Sequence, residues 1–131
     1  MGDPLTLVIV DNEPLLAEVM TEALTSIGHK VLATGIDGQD AVNLYRKHRP
    51  DVLIMDYDMP HLNGLQAAGL IKQEDPDANI VICSGSIEYT HINQDELRHV
   101  MVLPKPVGRE KLEKFLVQFK PRARKQESSK G

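Results

Sequence analysis

Two carboxylates and a lysine each stand at the end of a short apolar run in this sequence. Asp11 and Asp56 come directly after such runs, and Lys105 follows the run at 100–104. Runs this short, rich in valine, isoleucine and leucine and bounded by turn residues, are typical of strands buried in a parallel sheet. In an open α/β sheet, functional groups collect just beyond the carboxyl ends of the strands. The sequence therefore predicts one pocket in which two carboxylates meet one lysine.

Segments with helical periodicity alternate with the apolar runs. One predicted helical face follows the first strand and consists of Leu16, Val19, Met20, Ala23, Leu24 and Ile27, with Gly28 as the stop. Further helices are expected from Asp37 to Pro50, from Gly64 to about Glu74, over 88–99 and over 108–119, and further strands over 30–34, 51–55, 79–83 and 100–103. Five strands alternating with five helices predict a single three-layer, doubly wound α/β unit.

Length and composition describe a self-sufficient domain. The chain has 131 residues, of which 41% are hydrophobic, and this is enough to bury a core without a metal or a disulfide. No apolar stretch is long enough for a transmembrane span or a signal peptide, so we expect a soluble, cytoplasmic protein without membrane association. The single cysteine, Cys83, lies in an apolar run and is expected to be a small core residue.

The net charge of −4 hides an asymmetry between the body and the end of the chain. Residues 120–131 contain five basic side chains and one acidic one, whereas residues 1–119 contain ten basic and eighteen acidic ones. An acidic body of this kind does not predict direct nucleic-acid binding. We expect residues 1–119 to form the domain and residues 120–131 to be a basic, disordered tail or the start of a linker.

Four motifs in chain order resemble the receiver domain of two-component response regulators. They are Val10-Asp11-Asn12-Glu13, Asp56-Tyr57-Asp58-Met59-Pro60 with Asn63-Gly64, Ser84-Gly85, and Lys105-Pro106. Each motif is weak alone, but together, each at a strand end, they cover about residues 4–119. The resemblance, which includes chemotaxis-type receivers, implies a flavodoxin-like (βα)5 sheet with strand order 2-1-3-4-5.

The resemblance also implies a site and a chemistry. Asp56 would be the phosphoacceptor, because a carboxylate can attack phosphorus and form an acyl phosphate. Mg²⁺ would be the cofactor, since a hard divalent cation offsets the charges of the two anions. Its expected ligands are Asp11, Asn12, Asp56 and the main-chain carbonyl of Asp58.

Two further residues would contact the phosphoryl group. Lys105 would meet its oxygens as a point charge, and the hydroxyl of Ser84 would donate a hydrogen bond to one of them. Taken singly, these residues have ordinary structural explanations: the carboxylates as helix caps, Ser84 as a turn residue and Lys105 as a surface lysine. Their joint position at strand ends favours the phosphoacceptor site.

The sequence departs from the family at three places. Asn12 stands where a second carboxylate is usual, which lowers the expected metal affinity. Val102 stands where the family's switch mechanism has an aromatic residue. The segment 87–103 lacks the pattern of small residues that many receivers show before the fifth strand, so the output target, expected to bind the face formed by residues 87–119, is not identifiable.

The predicted function is therefore that of a signalling module and not of an enzyme. It would take a phosphoryl group from a sensor histidine kinase or a phosphotransfer protein onto Asp56 and switch the binding of a partner. One alternative is a degenerate receiver that binds partners without phosphorylation, as Asn12 and Val102 would allow. The other is a haloacid-dehalogenase-type phosphatase, because Asp56-Tyr57-Asp58 resembles the Asp-x-Asp motif of that family.

Overall fold

The computed structural model describes residues 3–85 and 100–122. Within these ranges it contains five strands and four helices. The strands are β1 (Thr6–Val10), β2 (Lys30–Gly35), β3 (Val52–Asp56), β4 (Ile80–Ser84) and β5 (Val100–Pro104), and the helices are α1 (Pro14–Ser26), α2 (Gly38–His48), α3 (Gly64–Glu74) and α4 (Arg109–Leu116).

The strands form one parallel sheet in the order β2-β1-β3-β4-β5, as predicted. The chain runs outward in one direction from β1 to β2 and in the other direction from β3 to β5. The switch in direction therefore falls between β1 and β3, where Val10 pairs with Met55. Because β1 ends at Val10 and β3 at Asp56, the side chains of Asp11 and Asp56 come together at this crevice.

Two apolar cores lie on opposite faces of the sheet. Helices α2 and α3 cover one face, where Ala41, Tyr45 and Ile71 pack against strand residues. Helices α1 and α4 cover the other, where Leu24, Leu112 and Leu116 do the same. β3 and β4 are buried at every position, as expected of central strands between two helical layers. The three-layer architecture is thus confirmed, and Cys83 belongs to the second core.

The predicted apolar face of α1 is only partly buried. Leu24 is fully buried, but Leu16 is 43% exposed and Val19 is 62% exposed. Both line a cavity between α1 and α4 rather than a closed core. Periodicity identifies an apolar stripe on a helix, but how far that stripe is covered depends on the neighbouring helix, which the local sequence does not specify.

Element boundaries differ from the predictions by small amounts. β3 and β4 are each displaced by one residue toward the C-terminus, within the usual uncertainty of strand ends. The last helix is shorter than predicted, ending at Leu116 instead of 119. The predicted helix at 88–99 lies outside the described residues. No helix in the described part of the chain is long and apolar enough to cross a membrane.

Candidate functional site

The predicted pocket forms at the carboxyl edge of the sheet. The ammonium nitrogen of Lys105 lies 3.2 Å from Oδ1 of Asp56 and 3.9 Å from Oδ2 of Asp11. Both carboxylates are buried, with 5% of Asp56 and 6% of Asp11 exposed, whereas Lys105 is partly open to solvent. One cation thus faces two carboxylates from the ends of different strands, and offsets the charge of only one of them.

The main chain fixes the position of Asp11. Its N–H donates to the carbonyl oxygen of Gly35 at the end of β2, 3.0 Å away. Its Oδ1 accepts a hydrogen bond of 2.8 Å from the N–H of Glu13, which leaves Oδ2 directed toward Lys105. Glu13, not Asp11, is the N-cap residue of α1. The helix-cap explanation of Asp11 therefore does not hold.

Asp56 is the more deeply buried carboxylate of the site. Its Oδ1 accepts from Lys105 and, at 3.4 Å, from the N–H of Asp58. Its Oδ2 has no hydrogen bond with any residue that the structure describes. Burial raises the pKa of Asp56 above its usual value, although the hydrogen bond and charge of Lys105 oppose that rise. Asp56 is not a helix cap either, since the N-cap of α3 is Asn63.

Lys105 responds to the same pair of carboxylates. Burial alone would lower its pKa, but the hydrogen bond with Asp56 and the charges of Asp56 and Asp11 raise it above the usual value. The lysine therefore stays charged at neutral pH. The main-chain N–H of Lys105 donates a hydrogen bond to the carbonyl oxygen of Ser84, 2.9 Å away. The Lys105–Pro106 peptide bond is cis.

The loop after β3 is closed tightly beneath Asp56. The N–H of Gly64 donates to the carbonyl oxygen of Tyr57 at 2.8 Å. A Cβ atom on Gly64 would lie 2.8 Å from the carbonyl oxygen of Asp56, a distance that real side chains essentially never show. Asn63 and Gln66 then form a capping box that starts α3. Asn63-Gly64 of the sequence motif thus allows the close approach that places the loop carrying Asp58.

The remaining predicted residues take different positions around the pocket. Ser84 is buried at the end of β4, one residue beyond the pairing of Asp56 with Cys83. Asn12 and Asp58 are exposed at the rim. Val102 pairs with Ile82 and packs against the core under α2 and α3, away from the carboxylates.

A cavity of about 380 Å³ joins the pocket and extends between α1 and α4. Its polar end contains Asp11, Asp56 and Lys105, and its walls include Cys83 and Leu112. Sequence reasoning did not anticipate this cavity, because it depends on how two helices are spaced over the sheet. Burial raises the pKa of Cys83 to about 12, so its thiol is not ionised at neutral pH.

The oxygen donors at this edge suit Mg²⁺. No cluster of three or more His, Cys, Asp or Glu side chains capable of holding a metal occurs within residues 3–85 and 100–122. Mg²⁺ does not need one, because it typically uses one or two carboxylates and keeps several waters. Asp11 and Asp56 would supply two carboxylates, and the predicted ligands Asn12 and the main-chain carbonyl of Asp58 would add neutral oxygens.

Comparison with known proteins defines the class. Residues 7–117 match the model of the response regulator receiver domain family. The match spans most of the chain and includes the pocket and every described strand except the first residue of β1. The chain therefore belongs to the response regulator receiver domain family, and the resemblance inferred from the four motifs is confirmed.

Two curated relatives illustrate the range of proteins that carry this domain. The chain is 36% identical over 109 residues to a protein-glutamate methylesterase/protein-glutamine glutaminase of Nitrosospira multiformis, covering 79% of the chain and 30% of that protein. It is 34% identical over 76 residues to the chemotaxis protein CheY of Thermotoga maritima, covering 58% of the chain and 63% of that protein. The chain thus spans less than two thirds of either relative.

Solved structures share the fold. The CheY molecule in a CheX–CheY–BeF3–Mg²⁺ complex from Borrelia burgdorferi superimposes with a TM-score of 0.79 at 25% identity, covering 88% of each chain. The response regulator domain of CheB from Thermotoga maritima superimposes with a TM-score of 0.71 at 28% identity, covering 86% of this chain and 93% of that domain. The flavodoxin-like receiver fold is therefore shown by sequence and by structure.

Proposed function

We propose that this receiver domain is a phosphoacceptor signalling module in which Asp56 takes a phosphoryl group from a sensor histidine kinase or a phosphotransfer protein. One observation carries the proposal. Asp56 is buried, and the ammonium group that contacts it at 3.2 Å also lies 3.9 Å from a second buried carboxylate. A merely structural ion pair would not need the second carboxylate, whose burial is costly without a functional reason.

The transfer itself follows from the carboxylate chemistry. An oxygen of Asp56 attacks the phosphorus of the donor's phosphohistidine, the new O–P bond forms, and the N–P bond breaks. The imidazole leaves as a good leaving group and takes up a proton from water. Oδ2 of Asp56 is the better placed nucleophile, since Oδ1 is held by Lys105 and the N–H of Asp58.

Mg²⁺ is the proposed cofactor of this step. When bound, it offsets the charge of the carboxylates and of the phosphoryl oxygens. Asp11, Asn12, Asp56 and the carbonyl of Asp58 would hold it. The Borrelia CheY complex contains Mg²⁺ and BeF3 by its description, which supports the same chemistry here by likeness.

After transfer, Lys105 and Ser84 are proposed to hold the phosphoryl group. The ammonium group of Lys105 already contacts the carboxylate of Asp56, and the main-chain N–H of Lys105 donates a hydrogen bond to the carbonyl oxygen of Ser84. Lys105 and Ser84 therefore lie at the same corner of the pocket. Movement of this corner would reach β5, where Val102 replaces the family's aromatic switch residue. We propose that the signal leaves through the face formed by residues 87–119, toward a protein partner and not toward nucleic acid.

The proposed setting is the cytoplasm, where ATP-dependent histidine kinases present their phosphohistidine. Membership of the receiver family disfavours the phosphatase alternative. A degenerate receiver remains the competing proposal, and it differs in predicting no phosphorylation at all.

The deciding experiment is labelling with acetyl phosphate. Intact mass spectrometry of the parent with Mg²⁺ should show the addition of one phosphoryl group, and Asp56→Asn should abolish it because an amide is a poor nucleophile. Asp77→Asn, which changes an exposed aspartate just before β4 at the opposite edge of the sheet, is the matched control and should label like the parent. Undiminished labelling of Asp56→Asn, or no labelling of the parent, would refute the proposal.

A further inference from the structure

A second cluster of charged residues lies at the opposite edge of the sheet. Arg122 donates from Nη1 to Oδ2 of Asp75 at 2.9 Å and to the hydroxyl of Tyr45 at 2.8 Å, and from Nη2 to Oδ1 of Asp75 at 3.3 Å. The Tyr45 hydroxyl donates in turn to Oδ2 of Asp75 at 2.6 Å. Arg49 adds an ion pair with Asp75 at 3.2 Å.

The main chain of Arg122 is anchored as well. Its N–H donates to Oδ1 of Asp51 at 2.7 Å, and Oδ2 of Asp51 accepts at 2.8 Å from the N–H of Thr6 at the start of β1. Asp51 is 1% exposed and Asp75 is 7% exposed, so both acceptors are buried. The main chain of Arg122 is thus held through Asp51 at the starts of β1 and β3, and its side chain is held through Asp75 at the end of α3.

These contacts have the character of a built anchor. Arg122 meets Asp75 through two nitrogens and two oxygens, the geometry for which the guanidinium group is preorganised. Although burial opposes it, hydrogen bonding from Arg122 and Tyr45 lowers the pKa of Asp75 to about 2. Asp75 is therefore ionised throughout the physiological range, and the anchor does not depend on pH there.

The anchor lies far from the phosphoacceptor pocket. Asp51 immediately precedes β3 and Asp56 is its last residue, so the two are separated by the length of the strand. Five steps of a strand span about 16 Å. The chain beyond residue 122 therefore starts at the amino edge of the sheet, beside the ends of α2 and α3.

We propose that Arg122 is a C-terminal anchor that belongs to the domain and sets where the following chain leaves it. The segment expected from composition to be a tail from residue 120 onward is thus attached to the body through Arg122. Whatever follows residue 122 departs from the end opposite Asp56. A phosphorylation signal then reaches that chain through the body of the domain and not by direct contact with the pocket.

The first test is amide hydrogen exchange of the full chain, comparing Arg122→Ala with Lys120→Ala. Lys120 is the matched control because it is exposed and makes no side-chain hydrogen bond or ion pair within the described residues. Exchange at the amide of residue 122 should accelerate about tenfold or more in Arg122→Ala and stay within about twofold of the parent in Lys120→Ala. Equal exchange in both variants would overturn the proposal.

The second test measures the exit position. A nitroxide on Lys125→Cys is attached three residues beyond the anchor, where the Cα atom lies at most about 11 Å from that of Arg122. Relaxation enhancement in the parent background should be confined to amides near the ends of α2 and α3, and should spread and weaken after Arg122→Ala. An enhancement pattern that Arg122→Ala leaves unchanged would show that Arg122 does not direct the chain. Acetyl phosphate labelling of Asp56 should be the same in all these proteins, so this proposal and the phosphoacceptor proposal fail independently.

Discussion

At the scale of single residues, Asp11 and Asn12 are neighbours in sequence with very different surroundings. Asp11 is 6% exposed and directed toward Lys105, whereas Asn12 is exposed and has no side-chain hydrogen bond with the described residues. The pocket therefore has one carboxylate fewer than the family pattern provides. Because metal affinity at oxygen sites rises with the number of charged ligands, this position should limit Mg²⁺ binding.

We predict that Asn12→Asp raises Mg²⁺ affinity by about five- to tenfold, because it adds one charged oxygen to the site. Isothermal titration calorimetry measures the change. Asn43→Asp, which adds the same charge on the exposed surface of α2, is the control and should leave the affinity at the parent value. If Asn12→Asp binds no better than Asn43→Asp, residue 12 does not face the metal.

Lys105 is predicted to transmit the phosphorylation signal rather than to hold the fold together. Lys105→Met should leave the domain folded but weaken the response of residues 84–103 to a phosphoryl mimic, since the ammonium no longer links Asp56 to β5. Amide exchange with and without beryllofluoride measures this response. Lys111→Met, an exposed lysine of α4, is the control. A response in Lys105→Met as large as in the parent would mean that Ser84 acts alone.

At the scale of elements, α1 presents apolar side chains beside the pocket. Leu15 is 74% exposed and Val19 is 62% exposed, and α1 begins three residues after Asp11. A protein that delivers a phosphoryl group to Asp56 must cover the rim of the pocket, so it must meet this helix. Exposed apolar groups at such a rim favour association with a protein. A small phosphodonor needs only the pocket and does not contact this helix.

We predict that the double variant Leu15→Ala/Val19→Ala slows phosphotransfer from a histidine kinase active on the parent by about tenfold, the effect of losing modest interface contacts. Labelling by acetyl phosphate should be unchanged. Leu70→Ala removes a leucine that is 40% exposed from α3, on the other face of the sheet, and this variant should accept the phosphoryl group at the parent rate. If labelling by acetyl phosphate also slowed in the double variant, the substitutions would have damaged the pocket rather than an interface with the kinase.

At the scale of the whole molecule, a histidine joins the start of the chain to the turn before β2. Nδ1 of His29 accepts a hydrogen bond of 3.0 Å from the N–H of Leu5, so this nitrogen must be unprotonated. Burial lowers the pKa of His29 below 6.5, although the charge of Glu113 opposes the shift. The unfolded chain therefore takes up this proton at a higher pH than the folded chain does.

The stabilising effect of His29 should be complete above pH 6.5 and be lost as the pH falls through the lower pKa of the folded state. His29→Asn places a carbonyl oxygen near the same acceptor position and does not titrate. The free energy of unfolding, measured by urea denaturation at pH 7 and pH 5, should fall less in His29→Asn than in the parent, by about 1 kcal/mol or less, the net value of one hydrogen bond. An equal fall in both proteins would show that His29 does not couple folding to pH.

The sequence by itself was enough to predict the architecture of this protein and the place of the pocket. The periodicities of the strands and helices, with turn residues between them, were enough to predict the parallel sheet. The position of Asp11, Asp56 and Lys105 at strand ends was enough to predict the pocket. Both follow from local patterns that a parallel α/β topology converts into fixed places. The four motifs then identified the receiver family.

Only the tertiary structure decided features that join residues distant in the chain. The cavity beside α1 depends on the spacing between α1 and α4, and no local pattern encodes the distance between two helices. The anchoring of Arg122 is of the same kind, because its partners Asp51 and Asp75 lie 71 and 47 residues earlier in the sequence. From composition alone, Arg122 is predicted only to belong to a basic tail. Long-range hydrogen bonding makes it part of the domain, since packing brings together groups whose separation in sequence carries no information about contact.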